Sequence, residues 1–190
     1  MSDVQAPLPL PDPMPRVGRI ALRPWESSDA GFLAGAGSDD HLRRFISGWP
    51  SPYSFSIAED WIAGQDEARR WRERLDLAVM DPVSGRLLGA VGLTGFEDAH
   101  RRAELGYWTA PDARRRGVAT RAAPLLARWA FDVLGLERLQ LLIEPVNMGS
   151  VRVAEAIGAV QEGLLRDHSL IAGQRRDVLI YGLLPDELVG

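Results

Sequence analysis

Glu104 to Thr120 reads Glu-Leu-Gly-Tyr-Trp-Thr-Ala-Pro-Asp-Ala-Arg-Arg-Arg-Gly-Val-Ala-Thr, and few folds accommodate it. Leu105, Tyr107 and Trp108 favour a strand, and nothing before Thr109 interrupts the run. Pro111 and Asp112 turn the chain. From Gly117 a helix is predicted, because Ala119, Ala122, Leu125, Leu126, Trp129 and Val133 recur at helical spacing. The chain therefore passes from a strand, through a short basic loop containing glycine, into a helix N-terminus.

That passage suits an anionic phosphate. The first N–H groups of a helix lack partners within it, and the helix dipole adds positive charge at the same end. Gly117 has no Cβ, so a ligand can approach the backbone closely. Arg114, Arg115 and Arg116 add attraction at longer range. The loop is neither Gly-x-x-x-x-Gly-Lys-Ser/Thr nor Gly-x-Gly-x-x-Gly, so it is not a P-loop or a dinucleotide fingerprint. With a net charge of −4, the chain lacks the basic balance of a nucleic-acid binder, and a small anion fits its local Arg cluster better.

The 190 residues suffice for one domain with a substantial core. Residues 1–16, with Pro7, Pro9, Pro11, Pro13 and Pro15, read as an extended or disordered arm, and residues 17–186 as the domain. Arg19 to Pro24 is a first strand. Ser27, Ser28 and Asp29 offer helix caps, and His41 to Ile46 a second helical piece. Ser56 is placed to cap a longer helix running through Trp61, Ile62 and Trp71 to Arg74. Leu75–Met80 and Arg86–Phe96 are strands joined by a turn at Asp81–Gly85, and Glu97–His100 turn into the strand that begins near Glu104. Leu139–Ile143 is a further strand. A helix from Asn147 to Ile157 ends at Gly158, and Val160–Leu170 and Arg175–Leu184 form a hairpin turned at Ala172-Gly173. This is an α/β domain with a mixed sheet. There is no cysteine, which excludes disulfides and thiolate nucleophiles, and no lysine to act as a base. His41, His100 and His168 have no metal-ligand spacing, so no metal is expected. No apolar run approaches a membrane span, and no leader pattern precedes the domain, so the expected compartment is the cytoplasm.

Arg114-Arg115-Arg116-Gly117-Val118-Ala119 resembles the pyrophosphate loop, Arg/Gln-x-x-Gly-x-Gly/Ala, of the GNAT superfamily of acetyl-CoA-dependent N-acetyltransferases. Ala103 to Trp108 is similar to the fourth strand of GNAT proteins of the Rim type, which acetylate ribosomal-protein N-termini. Asn147-x-x-Ser150 followed by Gly158 resembles their second motif, and Glu162 to Arg166 with Arg176 to Tyr181 their closing hairpin. The resemblance covers about Arg19 to Leu184. It implies a GNAT fold, with a mixed, mostly antiparallel sheet of about seven strands flanked by helices. The fourth and fifth strands would splay around the pantetheine arm of acetyl-CoA, the expected co-substrate.

On this resemblance, main chain at Trp108 and Thr109 would bond the pantetheine. Arg114, Arg115, Arg116, Gly117, Val118, Ala119 and Thr120 would hold the pyrophosphate. Asn147 would bond the arm from the other side, and Ser150 would donate to the sulfur. The tyrosine general acid of many relatives is replaced by Ala154, so that mechanism does not transfer. Glu104 is the candidate base, with pairing to Arg101 or Arg102 as the alternative; Glu97, Asp98 and His100 are weaker candidates. At pH 7, deprotonating a lysine-like amine costs about 4.6 kcal/mol and an α-amino group about 1.4 kcal/mol. The weaker demand favours a peptide or protein N-terminus or another amine of low pKa as acceptor, with arylamines and amino-sugars open. The acidic net charge favours cationic acceptors. A small-molecule acetyltransferase acting on an antibiotic or other amine, and a catalytically silent CoA-binding sensor, stay open. So does the choice between monomer and homodimer.

Overall fold

The computed structural model describes residues 6–171 and 173–190. An eight-stranded sheet runs in the order β1-β2-β3-β4-β5-β6-β8-β7. Its strands are β1 (Arg16–Val17), β2 (Ile20–Arg23), β3 (Arg74–Met80), β4 (Leu87–Glu97), β5 (Arg102–Thr109), β6 (Arg138–Ile143), β7 (Val160–Ile171) and β8 (Gln174–Leu183). Every neighbouring pair is antiparallel except β5 and β6. The strand beyond the expected seven is the two-residue β1, so the strands expected as fourth and fifth are β5 and β6.

Helix α5 (Val118–Asp132) crosses one face. It presents Ala122, Ala123, Leu126, Ala127 and Ala130 to Leu75, Leu77, Val91, Leu93, Leu105 and Leu139, which alternate inward along their strands. Small alanines let the helix sit close, and each fully buried leucine contributes about 1.5–3 kcal/mol. The opposite face carries Ala78 and Ala90, covered by Trp25, Leu33, Tyr53, Ala58 and Ile62. These come from around α1 (Ala30–Gly37) and α3 (Phe55–Ala63).

The single longer helix expected after Ser56 is two helices, α3 and α4 (Gln65–Arg70), divided at Gly64. Ser54, not Ser56, caps α3, accepting from the Ile57 N–H at 3.2 Å. At the division the Gln65 side chain donates to the Trp61 carbonyl, competing for a helical acceptor. Residues 6–15 form neither helix nor strand, yet the arm is anchored: Leu8 is fully buried, and its main-chain N–H donates to the Arg69 carbonyl at 3.1 Å. Of the expected Ala172-Gly173 turn, Ala172 lies outside the described residues.

The parallel pairing of β5 with β6 covers only Arg102–Arg138, Ala103–Leu139 and Glu104–Gln140. Beyond these, Leu105–Thr109 of β5 and Leu141–Ile143 of β6 diverge without pairing. The open wedge this leaves in the sheet is where the candidate residues gather.

Candidate active site

The wedge has one arm on β5 and the other on β6 and the start of α6 (Met148–Ala156). The loop after β5 leads into α5 with Arg115 at φ 60° and Gly117 at φ 68°. No side chain among the described residues caps the α5 N-terminus, so the first N–H groups at Val118, Ala119 and Thr120 are left without a side-chain acceptor. Arg115 and Arg116 are exposed and have no acidic partner among the described residues. Arg121, not expected at the site, folds back to donate to the Gly117 carbonyl at 3.0 Å and the Arg116 carbonyl at 2.8 Å, bracing the turn. These features fit a pyrophosphate.

Arg114 has a different engagement. Its guanidinium forks onto the Asp39 carboxylate, with one contact at 3.2 Å, and its Nε donates to the Thr109 carbonyl at 3.2 Å. Asp39 also caps α2 (Asp40–Phe45), accepting from Leu42 N–H at 3.0 Å, and the hydrogen bonds from Arg114 hold its carboxyl below the ordinary range. At the far end of α2, Arg44 pairs with the buried Glu144 at 2.6 Å, just past the end of β6. Helix α2 is thus tied to both arms of the wedge.

On the second arm, Asn147 caps α6 by accepting from the Ser150 N–H at 3.2 Å, leaving its amide –NH₂ to donate elsewhere. Tyr107 reaches across the wedge and donates to the Ser150 carbonyl at 3.0 Å; burial raises its hydroxyl pKa well above the ordinary value. The Ser150 hydroxyl itself has no hydrogen-bond partner among the described residues and is free to donate to a ligand.

Alternation along β5 puts Leu105 and Tyr107 on the α5 side and Glu104, Gly106 and Trp108 on the α1–α3 side. Glu104 is half-buried, and burial raises its pKa. Neither Arg101 nor Arg102 is its partner: Arg101 pairs with Glu137, and Arg102 with Glu97 at 2.7 Å. Glu104 therefore lies on the face opposite the one from which Tyr107 reaches the Ser150 carbonyl. The Trp108 ring is committed to an aromatic stack with Trp25 at 6.4 Å and Phe32 at 5.9 Å, and its main chain faces its β4 partner Ala90; against the expectation, it is the backbone of Tyr107 and Thr109 that turns towards the wedge.

Asp76 escaped the sequence reading. It lies on β3 on the same face as Glu104, flanked by Leu75 and Leu77 of the core, and burial pushes its pKa up to about 6 against the opposing pull of Arg74. Among the described residues no cluster of His, Asp and Glu could hold a metal ion, and no helix is long and apolar enough to cross a membrane.

The chain is similar to known proteins in sequence and in fold. The acetyltransferase (GNAT) domain family matches residues 19–160. The chain is 27% identical to the N-acetyltransferase p20 of Bacillus licheniformis over 90% of its length and 96% of the relative's. It is 28% identical to the spermidine N(1)-acetyltransferase of Escherichia coli K12, covering 87% of this chain and 86% of that one. RimJ of Mycobacterium smegmatis, solved with CoA-disulfide, superposes with a TM-score of 0.81 at 25% identity, covering 90% of this chain and 84% of RimJ. An open wedge beside an uncapped helix N-terminus, in a chain matched by this family over most of its length, makes this protein a member of the GNAT family, an N-acetyltransferase of Rim-like type.

Proposed function

We propose that the enzyme transfers acetyl from acetyl-CoA directly to a primary amine, and that the acceptor is the α-amino group of a protein or peptide N-terminus in the cytoplasm. The observation that carries this is the unpaired wedge between β5 and β6, with a carboxylate without an ion-pair partner, Glu104, on one arm and Ser150, at the start of α6, on the other. Acetyl-CoA supplies the activated acyl group as a thioester. The α5 N-terminus, with Arg115 and Arg116, holds its phosphates, and the unpaired edge of β5 with the Asn147 amide holds the pantetheine.

The acceptor enters from the α1–α3 side, where Glu104 takes the proton the amine must lose. Burial without an ion-pair partner makes Glu104 a stronger base than an exposed carboxylate. An α-amino group asks less of such a base than a lysine-like amine does. Ser150 donates to the sulfur as the carbon–sulfur bond breaks. With no cysteine in the chain to carry the acyl group, attack is direct, within a ternary complex.

The first test is a thermal-shift titration with acetyl-CoA, CoA and NAD, followed by initial rates on N-terminal peptides and small amines. A ligand at 100 times its Kd adds about 2.7 kcal/mol, which shifts Tm by several degrees. A shift with the two CoA species alone, followed by turnover on peptides, is expected. Turnover confined to small amines refutes the acceptor assignment, and no shift with either CoA species refutes the cofactor site.

A further inference from the structure

Asp76 has no task in the reaction outlined above, yet it faces the space the acceptor would enter. Its partner in the β3–β4 register is Gly92, and a Cβ at Gly92 would collide with Asp76 Oδ1, so the carboxylate lies across β4. Gly92 in turn pairs with Gly106 of β5, where a Cβ would meet nothing within 4 Å. Two adjacent glycines thus clear a path from Asp76 to the exposed backbone of β5 beside Glu104. Asp76 accepts no hydrogen bond among the described residues. Its closest cation, Arg74 Nε, stands 3.5 Å away, and that guanidinium lies over the Trp61 ring, 5.3 Å from its centroid.

Asp76 also lines a cavity of about 380 Å³ with Trp25, Ile62, Gln65, Asp66 and Arg69. Trp25 is only 8% exposed, and its indole N–H is buried with no acceptor. A carboxylate with one long ion pair and no hydrogen bond, beside an indole N–H without an acceptor, describes a place for a ligand carrying both a cation and an oxygen. A residue of a peptide carries both.

Asp76 is too distant to take the reacting proton. Its oxygen lies over β4; β5 is one strand spacing of about 4.8 Å further, and the wedge lies beyond β5, roughly 7–10 Å in all. Direct proton transfer needs about 2.6–3.2 Å. A peptide residue spans about 3.3–3.6 Å, so an arginine or lysine next to the reacting terminus brings its charge to Asp76.

Resting on the acetyl-transfer reading above, we infer that Asp76 is a specificity-determining residue that selects peptide acceptors with a basic second residue by binding its side-chain cation. The test pairs two tripeptides that differ only in an arginine or its neutral isostere citrulline at the second position. Each is titrated calorimetrically into CoA-loaded enzyme, wild type and Asp76→Asn, with initial rates measured in parallel. The arginine peptide should bind wild-type enzyme about tenfold or more tightly than the citrulline peptide, and Asp76→Asn should bring the two within about twofold. Equal binding to wild-type enzyme overturns the inference without recourse to any variant, as does a preference that survives Asp76→Asn. A preference that disappears with Asp76→Asn while neither peptide is acetylated would leave the cation site at Asp76 standing and remove peptide N-termini as the acceptor.

Discussion

Replacing Asp76 by asparagine should make the unliganded protein more stable at pH 8. The isosteric change removes a charge that burial opposes while keeping the volume and the path over Gly92. In the folded protein the Asp76 pKa stands at about 6, against 3.8 for the free group. At 1.36 kcal/mol per unit, that difference of roughly two units corresponds to about 3 kcal/mol of folding free energy withheld whenever the group is ionised. With 20% of the side chain still accessible, the realised gain belongs between about 1.5 and 3 kcal/mol. A group whose pKa is raised by folding favours the folded state below its unfolded value and loses that contribution as pH rises through its folded value. The variant's advantage should therefore be full at pH 8, shrink through pH 6 and vanish near pH 4. Arg74 and Tyr53, the ionisable groups coupled to Asp76, are common to both proteins, so the difference isolates the one carboxyl. Urea unfolding at pH 8, 6 and 4 reads it directly, as a midpoint raised by about 1 M at pH 8 if m is about 2 kcal/mol/M. A variant less stable than wild type at pH 8, or equally more stable at all three pH values, refutes the reasoning. Asp76 would then be a structural partner of Arg74.

Three further outcomes are expected. Ser150→Ala should lower kcat by about 10²–10³ with little change in KM for acetyl-CoA; a change within twofold removes serine as the sulfur's partner. Gly117→Glu puts a carboxylate where phosphate oxygens belong and a side chain at φ 68°, so CoA binding should be lost in calorimetry, with circular dichroism showing the fold intact. Leu126→Ala, at a fully buried position against the sheet, should cost about 2–5 kcal/mol in urea unfolding.

Much of the wedge is legible in the chain because its parts are local. The strand, turn and helix from Glu104 to Val133 follow from neighbouring residues, and Asn147 caps the helix it precedes. Contacts between distant residues are not legible in this way. Nothing near Arg114 announces that Asp39, far earlier in the chain, takes its guanidinium. Asp76 looks like an ordinary alternating polar residue of a strand until the register sets it beside Gly92 and Gly106. The break at Gly64 is masked by strong helix formers on both sides, and Leu8 lies in a proline-rich stretch whose composition reads as unattached.

Arg114 also carries a consequence for how the two substrates communicate. One guanidinium belongs at once to the loop expected to hold the phosphates and to the cap of a helix beside the acceptor face. A shared residue joins two binding equilibria into one, and such a linkage has the same magnitude in both directions. Whatever draws Arg114 toward phosphate loosens α2, and whatever firms α2 on Asp39 withholds Arg114 from phosphate. Substitutions at Asp39 and in the Arg114 loop should accordingly fail to add, and the coupling energy from a double-mutant cycle would measure how strongly one substrate is sensed at the other's door.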